Sequence, residues 1–171
     1  MRVTAIYYLI GVLLLITEGL FVYHFFAMMQ KYNWMIVLHV VIVYLIFYAC
    51  YGHVKKALLL AAVLGLIFDI VNAGGIIGIY TVIYPLLVSF AVRIYRKLPR
   101  NDYFAPIFSF ISVALVEILV YIVYSLIGKI NMTLPFYVEH RLLPTMVVNL
   151  IVVLILMYPL QKLCAKKWGW Q

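Results

Sequence analysis

The chain alternates long apolar runs with short polar segments, a pattern typical of helices that cross a membrane. A spanning helix needs about 20 predominantly apolar residues. One apolar stretch, residues 57–95, is too long for a single span, and Gly74 and Gly75 divide it because paired glycines favour a turn. With Gly78 as a further turn glycine, the pattern predicts six helices in one domain over residues 1–171, at about 3–27, 35–51, 57–71, 76–95, 104–128 and 142–163.

The composition places these helices in a bilayer. Hydrophobic residues make up 68% of the chain and charged residues only 11%, whereas a soluble domain carries about 25% charged residues. So little charge cannot cover a surface that faces water. Soluble enzymes, disordered tails and disulfide-rich secreted modules are therefore excluded, and the chain is predicted to be an all-α integral membrane protein.

The basic residues predict the orientation, because basic loops stay on the cytoplasmic side of a membrane. Three basic residues fall at one set of helix ends: Lys31, Lys129 and Arg141. Ten fall at the other: Arg2, Lys55, Lys56, Arg93, Arg96, Lys97, Arg100, Lys162, Lys166 and Lys167. We expect a multi-pass protein of the plasma membrane with both termini in the cytoplasm. The net charge of +8 then reflects topology and contact with the lipid bilayer, and no nucleic-acid partner is implied.

Three acids lie inside the predicted helices, where a charge at the bilayer centre costs at least about 2.5–3.5 kcal/mol. They are Glu18, Asp69 and Glu117. All three helices enter from the cytoplasmic side, and the acids fall roughly 18–23 Å along them at 1.5 Å per residue. We therefore expect the acids to lie at similar depths, somewhat beyond the midplane.

The sixth predicted helix adds polar groups at the same level from the opposite side. Arg141 stands at its start, and Thr145 and Asn149 follow at i+4 and i+8 on the same face. Together with the acids they predict one polar layer in the outer half, with Arg141 as the counter-charge. The layer is either a hydrogen-bond network that fixes the helix register or a small polar cavity that binds a ligand or a partner's side chain.

Other features have simpler interpretations. Ala57, Ala61 and Gly65 form a small-residue stripe that favours close helix packing. The sequence has no nucleotide-binding loop, no H-E-x-x-H motif and no G-x-S-x-G motif. Its four histidines, His24, His39, His53 and His140, lie on different segments without metal-ligand spacing. We predict no enzyme activity, no metal and no cofactor.

An ordered set of motifs resembles the rod shape-determining MreD family. Gly65–Asp69 reads G-x-x-x-D, and Gly78 follows nine residues after the aspartate. Glu117 lies in the middle of the next-to-last predicted helix. Arg141–Asn149 then reads R-x-x-P-T-x-x-x-N. The order of these motifs, in a six-helix chain with short loops, is similar to that family over essentially the whole length.

The resemblance implies a non-enzymatic scaffold subunit of the bacterial cell-elongation machinery, which synthesises peptidoglycan and maintains rod shape. The implied partner is MreC, and through it MreB, RodA and a class B penicillin-binding protein. The implied fold is similar to the substrate-binding subunits of energy-coupling-factor transporters. That similarity supports an alternative function, a small-solute-binding subunit of a transporter, although the A-x-x-x-A stripe of those subunits is missing from the first helix. Intramembrane catalysis on a lipid is a third hypothesis.

Overall fold

The computed structural model describes residues 2–71, 77–99 and 101–165, and all regular secondary structure in these ranges is helical. The predicted all-α class is therefore confirmed. The elements are α1 (Arg2–Lys31), α2 (Val40–Tyr51), α3 (Val54–Val71), α4 (Ile79–Tyr95), α5 (Phe104–Leu126), α6 (Leu134–Tyr137), a π-helical turn (Val138–Leu142) and α7 (Leu143–Ala165). The predicted turn residues Gly74 and Gly75 lie outside the described residues.

Three of the described helical segments are long and apolar enough to cross a membrane: Ile6–Phe25, Phe104–Leu126 and Leu134–Lys162. α2 and α4 are also apolar but shorter, at 12 and 17 residues. At 1.5 Å per residue, α2 is only about 18 Å long. The chain is a helical membrane protein, and six complete crossings stay a prediction.

α2 is the central helix of the bundle. Every residue of α2 except Cys50 is buried, and the helix packs against α1, α3, α4, α5 and α7. A helix that is apolar on all sides is either buried among neighbours or faces lipid. The sequence VVIVYLIFYACY has this character, and in this bundle other helices surround it.

Two helix boundaries differ from the predicted ones, and both affect the polar layer. α2 begins at Val40 rather than near residue 35, and residues 34–39 are not helical. The segment 129–141 was expected to be a loop, but helix begins at Leu134 and continues through the π-helical turn into α7. Pro135 is compatible with this start because the first turn of a helix does not need its N–H. Arg141 therefore lies inside a continuous helical segment and not at its start.

α3 and α4 approach each other closely at Gly65. A Cβ atom added to Gly65 would lie 2.5 Å from the backbone oxygen of Tyr80 and 2.9 Å from the Cα of Thr81. Only glycine fits against the backbone at this distance. Ala57 and Ala61 of the same stripe are fully buried.

Candidate functional site

The non-helical segment 34–39 enters the bundle just before α2, and side chains of α7 pair with its backbone. The Val37 N–H donates to Thr145 Oγ1 at 3.2 Å, and Asn149 Nδ2 donates to the Val37 carbonyl at 2.7 Å. The His39 N–H donates to Asn149 Oδ1 at 2.8 Å. Backbone groups in an apolar environment must be paired. Thr145 and Asn149 thus replace the hydrogen bonds that a helix would have supplied.

Glu18 of α1 caps the first turn of α2. The first N–H groups of a helix have no partner within the helix, and the positive end of the helix dipole favours a carboxylate. The Val41 N–H donates to Glu18 Oε1 at 2.7 Å, and the Glu18 side chain is 2% exposed. Glu18 Oε2 is buried and has no hydrogen-bond partner among the described residues.

Asp69 of α3 caps α4 in the same way but with both of its oxygens. Asp69 Oδ1 accepts the Tyr80 N–H at 3.1 Å. Asp69 Oδ2 accepts the Gly78 N–H at 3.0 Å, the Thr81 N–H at 3.0 Å and the Thr81 hydroxyl at 2.7 Å. Gly78 has a φ of 110°, a left-handed conformation that favours glycine. This turn directs three backbone donors at the start of α4, those of Gly78, Tyr80 and Thr81, toward one carboxylate.

Glu117 of α5 connects the non-helical segment to the start of the last helical segment. His39 Nε2 lies 2.8 Å from Glu117 Oε1. Glu117 Oε2 accepts the Tyr137 hydroxyl at 2.6 Å and Arg141 Nε at 2.9 Å. The Glu117 side chain is 1% exposed, and a buried charge is tolerated only when it is paired and hydrogen-bonded. The arrangement assigns the His39 proton to Nε2, as a donor to the carboxylate.

The six residues predicted to form one polar layer thus make four sets of hydrogen bonds, and His39 joins the set at Glu117 to the set at Asn149. Glu117 pairs with Arg141, Thr145 and Asn149 hold the segment 34–39, and Glu18 and Asp69 cap separate helices. Asp69 makes no direct contact with Arg141 or Glu117 among these bonds. Gly78 belongs with Asp69, whereas the stripe of Ala57, Ala61 and Gly65 lies along α3.

Sequence reasoning missed His39 and Tyr137. His39 was set aside because its spacing fits no metal site, and Tyr137 fell in the predicted loop. A usable signal was present for His39, because it is a polar residue directly before the apolar run 40–51. Burying an imidazole without a hydrogen bond costs free energy, as burying a carboxylate does. The argument that identified the three acids therefore applies to His39 as well.

A cavity of about 430 Å³ opens beside the caps. Its polar lining comes from Glu18, Tyr80, Tyr124 and Arg141, and Leu15 and Phe68 contribute to its apolar wall. No group of three or more His, Cys, Asp or Glu side chains that could hold a metal occurs in residues 2–71, 77–99 and 101–165. The polar residues of the lining offer hydrogen bonds and charge.

Comparison with known proteins gives a family for this bundle. The family model described as rod shape-determining protein MreD matches residues 2–167. The chain belongs to the MreD family. The range matched to MreD includes all six residues of the predicted polar layer, and the resemblance inferred from the motifs is confirmed.

One curated MreD protein is similar to this chain. Rod shape-determining protein MreD of Bacillus subtilis (strain 168) is 29% identical over 115 residues. The matched part covers 67% of this chain and 66% of the Bacillus MreD, slightly less than two thirds of that protein. No solved structure matches the chain, so the similarity to energy-coupling-factor subunits stays a prediction.

Proposed function

We propose that this MreD-family protein is a non-catalytic scaffold in the plasma membrane that helps to maintain rod shape by binding MreC. Membership of the MreD family is the observation that carries the proposal. The structure is compatible with a scaffold because its buried carboxylates bind helix ends and an ion-pair partner. These contacts fix the positions of the helices. A scaffold needs fixed helices because it must present the same surfaces to its partners.

We place the MreC contact on the free side of α1. α1 packs mainly against α2 and α3, and one side of it exposes Leu9, Leu13, Ile16 and Leu20 by 49–61%. Gly19 flanks this side, and a Cβ atom added there would meet nothing within 4 Å. Small residues on a membrane helix allow another helix to approach closely. The helix α7 contains no glycine, and its exposed side carries Val147, Leu150, Leu154 and Ile155.

The test is site-specific photo-crosslinking in living rod-shaped cells. A photo-reactive residue replaces Leu13 in α1, and the matched control carries the same residue at Leu154 in α7, which is 59% exposed against 53% for Leu13. We expect an MreC adduct from position 13 and none from position 154. Depletion of the protein should round the cells. Adducts from position 154 alone would move the contact to α7, and recovery of no MreC from either position or by mild detergent pull-down would contradict the scaffold proposal.

We also propose six crossings, with both termini in the cytoplasm. The proposal follows from the distribution of basic residues and is tested with single cysteines in a chain whose Cys50 and Cys164 are replaced by serine. Lys129→Cys should react with a membrane-impermeant thiol reagent added to intact cells, and Lys97→Cys should react only after the membrane is opened. Both positions are exposed, so the opposite result would reverse the topology.

A further inference from the structure

We propose that the cavity beside Glu18 binds a protonated primary amine carried on an apolar stem. The amine could belong to a small molecule or to a lysine side chain of a partner, because both present the same chemistry. The site goes beyond the scaffold function proposed above. If the cavity binds no amine, the proposed MreC contact on α1 is unaffected. If MreC does not contact α1, the proposed amine site is unaffected.

The first observation is an unused acceptor on a buried carboxylate. Glu18 is 2% exposed and uses Oε1 to cap α2, but Oε2 is buried without a partner in the described part of the chain. A carboxylate oxygen in an apolar environment is costly unless it accepts a hydrogen bond. An ammonium group offers three donors and a compensating charge.

The second observation is the charge balance of the groups around the cavity. Arg141 also lines the cavity, but its Nε is paired with Glu117 at 2.9 Å. Asp69 is engaged by four donors. Glu18 is thus the carboxylate of the polar layer that accepts only backbone N–H groups and leaves one oxygen free. Because Glu18 lines the cavity, a cation there would pair with its ionised carboxylate, whereas an anion would be repelled by it.

The third observation is the wall of the cavity. Tyr80 and Tyr124 line the cavity, and the faces of aromatic rings attract cations. Leu15, Leu38 and Phe68 provide the apolar surface that an alkyl stem would contact. The volume of about 430 Å³ is within the range of small-ligand pockets, so an amine with a short chain fits.

The experiment measures the thermal unfolding midpoint of the purified full-length protein in detergent, with n-butylamine as the probe at constant pH. A ligand that binds only the folded state raises Tm with the logarithm of its concentration. We expect a rise of about 3–6 °C at ten times Kd. Butyrate and 1-butanol at equal concentrations should give no comparable rise, because one has the wrong charge and the other has none.

Two variants assign the effect to this cavity. Glu18→Gln keeps an oxygen for the Val41 N–H and removes the charge, so the protein should fold but lose the butylamine response. Gly19→Leu should fold, because a Cβ there meets nothing within 4 Å, and should reduce the response by placing a side chain at the cavity wall. The control Thr17→Val, on the exposed side of the same helix, should respond like the unaltered protein.

Carbodiimide treatment of native membranes distinguishes the two sources of the amine, because this reagent joins a carboxyl group to a nearby amine as an amide. A small mass increase on the Glu18 peptide indicates a free amine, and a crosslinked peptide indicates a partner's lysine. Either result supports the site. An equal Tm rise with 1-butanol, or a full butylamine response in Glu18→Gln, would overturn it.

Discussion

Helices α2 and α4 both begin with a first turn that is capped by a buried carboxylate, but the two carboxylates differ in how many hydrogen bonds they accept. Each has its first turn capped by a carboxylate from the preceding helix, Glu18 for α2 and Asp69 for α4. Asp69 accepts four hydrogen bonds through both oxygens. Glu18 binds α2 through one oxygen and leaves the other unpaired.

The difference shows how to tell a structural acid from one with remaining binding capacity. The left-handed turn at Gly78 directs three backbone donors and a hydroxyl toward Asp69, so both of its oxygens are already in use. α2 follows a non-helical segment whose backbone groups bind α7 instead, so fewer donors reach Glu18. The number of oxygens in use, and not the burial of the carboxylate, separates the two roles.

The largest expected effect on the free energy of unfolding comes from removing Asp69, which caps α4 with both of its oxygens. Asp69→Ala leaves four buried or partly buried donors without a partner, and each such loss costs about 1–3 kcal/mol. We expect the free energy of unfolding to fall by at least about 4 kcal/mol, measured as the loss of folded protein on heating in detergent. The matched control Asp102→Ala, in an exposed linker, should stay within about 0.5 kcal/mol. Equal stability of the two variants would show that the cap contributes little.

An intermediate effect is expected at Glu117, which is held by side chains and not by a helix end. Arg141→Met removes one partner and leaves His39 and Tyr137 to pair the carboxylate. Breaking a fully buried pair costs about 3–5 kcal/mol, and because the Arg141 side chain is 22% exposed we expect about 2–3 kcal/mol. The double variant Glu117→Gln with Arg141→Met removes both charges and should recover part of the loss. Additive losses in this double-mutant cycle would show that the two side chains are not coupled.

The sequence was sufficient to find the buried polar groups but not their partners. An acid inside an apolar run must be buried and paired, and Glu18, Asp69 and Glu117 are all buried as that argument requires. Apolar periodicity could not predict that residues 34–39 leave the helix, because W-M-I-V-L-H contains no glycine or proline. Thr145 and Asn149 stabilise that segment from 108 and 110 positions away. Contacts between residues so far apart in the sequence determine where a helix begins and ends. The sequence of a single chain does not reveal such contacts.

The smallest expected effect is at Glu18, and it separates the cap from the free oxygen. Glu18→Ala removes one capping bond and the unpaired oxygen together, so we expect a loss of about 0.5–2 kcal/mol, well below that of Asp69→Ala. Glu18→Gln keeps the capping acceptor and should lose less than Glu18→Ala. Thermal unfolding of both variants beside Asp69→Ala gives the comparison directly. A loss at Glu18→Ala as large as that at Asp69→Ala would mean that Oε2 has a partner that stabilises the fold, and the two caps would then be equivalent.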